Sequence, residues 1–233
     1  MNNKIKKIIN FPATLISRYS KSFSRKNLYK FLNTSLEKYE FSEASKLISI
    51  GSGGAIGELL KNKYSTIVQV DIDPDRKPDL VMSIENMDKF DENSVDAIFC
   101  MEVLEHVSNP FLAVKEIERV LKPDGIFIGS TPFLFPLHDE PYDFFRYTKY
   151  GIRNLFKNFK EEQLLERNTY YDAIYVLLLR SLRKPGSILQ YLVNILLFPF
   201  FILFMPILKI LGVFFKQNLG CSGYFYIFKK SKK

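Results

Sequence analysis

The chain has 233 residues, 33 Lys and Arg against 25 Asp and Glu, a formal net charge of +8 and 47% apolar residues. That is one domain of ordinary size with a sizeable core and room for a modest insertion. Its two cysteines, Cys100 and Cys221, are too few and too far apart for a disulfide framework and lack metal-ligand spacing, so a reducing, cytosolic setting is expected and no metal is assigned.

The basic excess is concentrated at the start. Lys4, Lys6, Lys7, Arg18, Lys21, Arg25, Lys26 and Lys30 all precede the first acid, Glu37. Ile5, Ile8, Ile9 and then Leu28, Phe31, Leu32 recur at helical spacing, so residues 1–40 are expected to form basic amphipathic helices suited to an anionic surface. The apolar stretch there is short, is broken by Pro12 and has no small-residue cleavage site, so it is not read as a signal peptide. From residue 41 onward short apolar runs alternate with helical stretches. Strands are predicted at Leu47–Ile50, Thr66–Val70, Asp79–Met82 and Val95–Cys100. A helix follows the fourth strand through Leu121, then Pro123-Asp124-Gly125 turns the chain into a fifth strand, Ile126–Ser130. Strands alternating with helices imply a doubly wound, parallel α/β sheet. A helix near Lys149–Phe159, a strand near Gln163–Asn168 and a last strand at Tyr224–Phe228 complete the domain. An apolar helical insertion at 172–218 contains no charge from Gly186 to Leu208.

Directly after the first strand stands Ile50-Gly51-Ser52-Gly53-Gly54-Ala55-Ile56-Gly57, and Asp71 ends the second strand. Glycines let the chain turn tightly and let a ligand approach the backbone. A carboxylate at the end of the second strand can accept hydrogen bonds from ribose hydroxyls. A nucleoside-containing cofactor is therefore expected. A dinucleotide would want a third glycine where Ile56 stands, and Gly57 comes one residue late.

Four blocks in order, LISIGSGGAIGELL (47–60), VDIDP (70–74), NSVDAIFCMEVLEHVSNPFLAVKEIERVLKPDGIFIGSTP (93–132) and HDEPYDFFRYT (138–148), resemble the class I S-adenosylmethionine-dependent methyltransferases. The resemblance covers about residues 46–170. It is nearest to the methyltransferase type 11 group, with its quinone and bacterial surface-polysaccharide methyltransferases. It implies a Rossmann-like seven-stranded sheet and S-adenosylmethionine as cofactor. By the same resemblance Gly51, Ser52 and Gly53 pass under the methionine and ribose, and Asp71 holds the ribose hydroxyls. Ile72 and Ile84 enclose the adenine, while Cys100, Met101 and Glu102 line the methionine side. The sequence departs from the family pattern at Ser49, Ala55 and Ser83, with Glu85 close to the last.

Methyl transfer from a sulfonium is an in-line displacement, so positioning dominates, and an oxygen or nitrogen acceptor also needs a base. Ligands of doubly wound sheets lie beyond the carboxyl ends of the strands, which puts Thr131–Thr148 over the site. His138 is the base candidate there, with Asp143 beside it and Arg146 suited to an anionic substrate group. Glu105 and His106 are read as structural, the first anchoring its helix and the second filling a polar gap.

The apolar run has the length of a membrane span, yet a spanning helix would strand Tyr224–Phe228 on the far side. The expectation is an interfacial or re-entrant hairpin broken near Pro199 or Pro206, on the inner face of the cell membrane. Arg180, Arg183, Lys184, Lys209 and Lys216 would flank it at anionic headgroups. A buried cap or a dimer interface is the alternative, and the sequence leaves the oligomeric state open. The expected function is methylation of a membrane-proximal acceptor, a lipid-linked sugar or glycan precursor. The alternatives are a quinone or other lipid, or a non-catalytic module anchoring a biosynthetic complex. Nucleic acid is not an expected partner, since no base-flipping motif or stacking platform is present.

Overall fold

The computed structural model describes residues 20, 25, 27–51, 54–181, 187–214 and 220–232. The chain divides into two compact units, one of residues 31–133, 137–165 and 224–233, the other of 1–30, 134–136 and 166–223.

The first unit holds the sheet. Its strands are β1 (Leu47–Ile50), β2 (Val68–Asp71), β3 (Leu80–Val81), β4 (Val95–Met101), β5 (Leu121–Pro132), β6 (Phe159–Arg167) and β7 (Gly223–Lys230), in the spatial order β3-β2-β1-β4-β5-β7-β6. β1 pairs in parallel with β2 and β4, as do β2 with β3 and β4 with β5. All four residues of β1 and all but one of β4 are buried, the pattern of strands covered on both faces. The seven-stranded α/β sheet is the expected one.

Helices cover it. Residues 27–38 form α1, whose Phe31, Leu32 and Leu36 are buried; Ile5, Ile8 and Ile9 lie outside the described residues. α2 (Ala55–Lys63) leaves the glycine turn and buries Gly57 and Leu60. α3 (Pro110–Val120) buries Ala113, Val114, Ile117 and Val120 at helical spacing. α4 (Lys149–Leu155) starts on Thr148, whose hydroxyl accepts from the Gly151 N–H. An aromatic group fills the space by the last strand: Phe156 stacks on Phe228 with centroids 4.6 Å apart and meets Phe127 at 4.9 Å. At Gly129 of β5 a Cβ would come 2.4 Å from the Tyr226 ring, so only glycine lets β5 and that ring approach so closely.

Several elements differ from expectation. The third strand shrinks to two residues, because the Asp79 carboxylate accepts the Gln69 N–H at 2.9 Å in place of a ladder bond. The helix after β4 is split into a 3-10 turn at Leu104–His106 and α3. Pro110 disfavours helical backbone at Asn109, and the Asn109 side chain instead caps α3 by accepting from the Leu112 N–H. The Pro123-Asp124-Gly125 turn bulges out within β5: Val95 pairs with Leu121 but Ala97 with Ile126.

In the second unit α5 (Tyr170–Ser181) buries Ala173, Tyr175, Val176 and Leu179. It begins on Thr169, which exchanges hydrogen bonds with Asp172. α6 (Ile188–Phe214) is a single helix with Pro199 and Pro206 inside it, so the hairpin expected to break at either proline does not form. Each proline removes one helix hydrogen bond without ending the helix. Leu189, Leu192, Leu196, Phe200, Leu203, Ile210, Val213 and Phe214 are exposed along α6. Among the described residues no helix is long and apolar enough to cross a membrane. Of the flanking bases, Arg183, Lys184 and Lys216 lie outside the described residues; Arg180 donates to Ser20 Oγ at 3.1 Å and lies 4.1 Å over the Phe135 ring.

Candidate active site

The carboxyl ends of β1, β2 and β4 form one edge. Gly51 ends β1 with φ at +82°, in the left-handed region, and a Cβ there would lie 2.6 Å from Val103 Cγ2. Gly54, with φ +81°, leads into α2. Ser52 and Gly53, expected under the cofactor, lie outside the described residues. Asp71 is nearly buried, and its carboxylate accepts from the Asp73 N–H at 3.0 Å and faces Arg76 Nη1 at 3.5 Å. Next to it Ile72 is 71% exposed, a large apolar side chain in water beside an ordered acid, while Ile84 is buried. Ser83 Oγ accepts from the Glu85 N–H. Glu85 instead joins two loops: its Oε1 accepts from Ser108 Oγ at 2.9 Å and from the Asn109 N–H at 2.6 Å.

At the end of β4, Cys100 is fully buried and its thiol is pushed well up by burial, with the Glu105 charge adding to the shift. Met101 is buried as well. Glu102 takes left-handed backbone at φ +58°, and its Oε1 accepts from Ser130 Oγ of β5 at 2.7 Å. Val103 then touches the Gly51 turn, and two residues on stands Glu105.

Glu105 organises the second part of the site. Its side chain is fully buried. Its backbone carbonyl accepts from the N–H groups of Phe144 and Phe145, at 2.9 and 3.1 Å. The Tyr147 hydroxyl donates to the Leu104 carbonyl at 3.0 Å, so the 137–148 segment is tied onto the turn after β4. Burial pushes the Tyr147 hydroxyl pKa far up, with the Glu105 charge adding to it, and keeps it a donor. His138 Nε2 lies 3.9 Å from Glu105 Oε1, and its Nδ1 faces Asp143 Oδ2 at 3.2 Å. The two imidazoles, His106 and His138, meet edge to face with centroids 4.8 Å apart. Burial lowers the pKa of His138, with Asp143 opposing and His106 adding to the drop. Asp143 also accepts the His138 backbone N–H at 2.9 Å, and Arg146 grips it bidentately through Nη1 at 2.5 Å and Nη2 at 2.6 Å. Burial would raise Asp143, but the Arg146 hydrogen bonds and the His138 N–H outweigh it and hold it at about 2.

The structure therefore brings His138, Asp143 and Arg146 together. The Arg146 fork is closed on Asp143 rather than turned to a substrate anion. Glu105 and His106, read from sequence as structural, stand in the same cluster. The signal that could have found them is composition: with only two histidines in the chain, His106 beside a helix-breaking Ser-Asn-Pro deserved pairing with His138.

Residues 48–129 match the family model described as "Methyltransferase domain". Among curated proteins, the ubiquinone biosynthesis O-methyltransferase of Actinobacillus pleuropneumoniae is 26% identical over 105 residues, covering 37% of this chain and 45% of that one. The protein of the same name from Xanthomonas oryzae is 39% identical over 61 residues, covering 24% and 26%. The chain thus spans less than half the length of these relatives. Among solved structures, the YcgJ protein of Bacillus subtilis superposes with a TM-score of 0.57 at 15% identity, over 88% of this chain and all of the other. Haemonchus contortus phosphoethanolamine N-methyltransferase 2, in complex with S-adenosyl-L-methionine, gives 0.56 at 13% identity, over 88% and 53%. These likenesses carry the fold. Residues 48–129, on the central strands of the seven-stranded sheet, carry the similarity to the methyltransferase-domain model.

Proposed function

We propose that this protein transfers the methyl group of S-adenosylmethionine to a hydroxyl oxygen of a lipid-tailed acceptor, on the cytoplasmic face of a membrane. What carries the cofactor half is one observation: an ordered, nearly buried Asp71 stands between the left-handed Gly51 turn and a water-exposed Ile72. The carboxylate takes the ribose hydroxyls, Ile72 and Ile84 cover the two faces of the adenine, and Gly51 lies under the methionine. Cys100, Met101 and Glu102 line the methionine side. In the reaction the acceptor oxygen forms a bond to the methyl carbon as the carbon–sulfur bond breaks, and that electron pair goes to sulfur. The hydroxyl proton leaves through the Glu105–His106–His138 cluster. Asp143 and Arg146 are positioning residues, acting through the ring of His138.

Two observations support a lipid-tailed acceptor. α6 exposes a run of large apolar side chains that water disfavours, and the net charge of +8 suits anionic headgroups. The curated relatives' shared name favours a quinone-type ring over a lipid-linked sugar. Calorimetry tests the cofactor: wild type should bind S-adenosylmethionine, and Asp71→Ala should weaken it by about tenfold or more through loss of a charged hydrogen bond. Folded wild type that binds none would overturn the reading. Labelled cofactor incubated with a bacterial lipid extract tests the acceptor. Label in the organic phase supports it, and label confined to water-soluble glycans overturns the lipid half.

A further inference from the structure

In the segment after β5 the usual arrangement of a surface loop is inverted. Asp143 turns inward, its side chain 2% exposed, while Tyr142 and Phe144 on either side of it are 65% and 47% exposed. Leu137, just before His138, is 70% exposed. Loops at a protein surface ordinarily put their charges in water and their rings inside. Here the backbone is pinned so that the rings stay out. The Phe144 and Phe145 N–H groups both donate to the Glu105 carbonyl, the Asp143 carboxylate accepts the His138 N–H, and the Tyr147 hydroxyl donates to the Leu104 carbonyl.

The rings form a connected row. Tyr142 meets Phe144 edge to face with centroids 6.5 Å apart, Phe144 meets Phe145 at 6.4 Å, and Phe145 stacks on Tyr147 at 5.7 Å. Exposure falls along it, from 65% at Tyr142 to 36% at Phe145, so the row runs from the rim of the site toward the turn after β4. Its outer end adjoins the histidines. The Tyr142 carbonyl oxygen lies 2.8 Å from His106 Nδ1, and Leu137 is bonded to His138. The side chains of His106 and His138 are 20% and 19% exposed, so a hydroxyl held on the row can reach them.

We propose that Leu137, Tyr142, Phe144 and Phe145 form the acceptor subsite, and that it takes a planar phenolic ring carrying an apolar tail. Its role as acceptor subsite rests on the methyl-transfer reading; the binding of the ring does not. What the row offers is aromatic faces rather than hydrogen bonds. Leu137, Phe144 and Phe145 have no polar side-chain atoms, the Tyr147 hydroxyl is engaged with Leu104, and the Arg146 fork is closed on Asp143. Recognition of a sugar needs hydrogen bonds directed at its hydroxyls, and recognition of an anionic group needs a cation turned outward; the row is built of neither. A phenolic ring instead stacks offset or edge-on against Tyr142 and Phe144, which leaves its hydroxyl for the histidines.

The test is calorimetry on the full chain with two probes that share a tail and differ in the head, octylcatechol and octyl glucoside, each below its micelle concentration. Wild type, Tyr142→Ala, Phe144→Ala and Tyr142→Phe are compared; both positions are exposed, so the variants keep the fold. The expected result is octylcatechol bound by wild type, about tenfold weaker binding in each alanine variant, wild-type binding in Tyr142→Phe, and S-adenosylmethionine affinity unchanged in all. Octyl glucoside bound as tightly as octylcatechol overturns the proposal, since the tail or a sugar site then does the binding. So does octylcatechol affinity that is equal in wild type and both alanine variants. Sedimentation velocity covers the remaining occupant: a wild-type dimer that Phe144→Ala dissociates assigns the row to a second copy of the chain and overturns the proposal as well. Wild type that binds S-adenosylmethionine but not octylcatechol removes the subsite and leaves methyl transfer standing. Wild type that binds octylcatechol through Tyr142 and Phe144 but no S-adenosylmethionine supports the ring site and removes the methyl-transfer reading.

Discussion

Gly51→Ala isolates the turn on which the cofactor reading depends. At φ +82° an L-residue is strained by about 1–2 kcal/mol, because its Cβ crowds the following carbonyl. The new carbon would also sit 2.6 Å from Val103 Cγ2, far inside van der Waals contact. Overpacking of that kind adds about 1–3 kcal/mol. The sum, about 2–5 kcal/mol, corresponds to a fall in Tm of roughly 4–20 °C for a chain of this size. Val103 leads directly to Glu105, so the clash should also shift the turn after β4 and weaken S-adenosylmethionine by about tenfold or more, if it displaces the bound methionine by even an ångström. Differential scanning fluorimetry and calorimetry read the two effects. Combining Gly51→Ala with Val103→Ala separates them: the double variant should recover the steric share and keep the backbone strain, giving a coupling of about 1–3 kcal/mol. A single variant as stable as wild type, with full cofactor affinity, would refute the left-handed turn and the contact with Val103 together.

Other perturbations test other parts of the molecule. Arg146→Ala leaves Asp143, only 2% exposed, without its bidentate partner and should cost about 3–5 kcal/mol in urea denaturation; a loss under about 1 kcal/mol would mean Asp143 does not need the pairing. Gly129→Ala drives a methyl into the Tyr226 ring and should destabilise by about 1–3 kcal/mol, and Tyr226→Leu in the same background should relieve part of it. Glu116 is held below the usual carboxylate range by hydrogen bonds from Arg119 and the Met87 N–H, with burial opposing. A lowered carboxylate contributes stability above its unfolded pKa and loses it as pH falls through the folded one. Wild type should therefore exceed Glu116→Gln by about 1–3 kcal/mol at pH 7, and the gap should close under acid; a gap that is flat with pH refutes the assignment. Phe200→Asp and Leu196→Asp, at exposed α6 positions, should abolish flotation with anionic vesicles and leave the melting temperature within a few degrees.

The parts of the fold legible in the sequence were those set by local chemistry. β1 matches its predicted bounds, and the Gly51 turn and Asp71 stand where strand, glycine and acid spacing put them. The last strand was legible because Tyr224–Phe228 is a short apolar run with charge after it. What escaped was set by side chains reaching across the chain. Asp79 shortens β3 by taking the Gln69 N–H, and Glu85 binds Ser108 and Asn109 rather than standing in for the acid absent at Ser83. α6 runs on through Pro199 and Pro206 because a proline costs a long helix one hydrogen bond and a local clash, not its remaining turns.

The site follows the same division. His138, Asp143 and Arg146 lie within nine residues, and their grouping could be read from one aromatic, acidic segment. Their orientation could not, because it depends on Glu105, 33 residues earlier. The Glu105 backbone carbonyl binds the Phe144 and Phe145 N–H groups, and its buried carboxylate meets both histidine rings. One residue thus sets the loop's backbone and faces its reactive nitrogens. Glu105, expected to anchor its helix, instead anchors the 137–148 loop through its backbone carbonyl while its carboxylate faces the two histidine rings. A Glu105→Gln chain that folds keeps the backbone bonds and loses the charge, so any function it lacks belongs to the carboxylate alone.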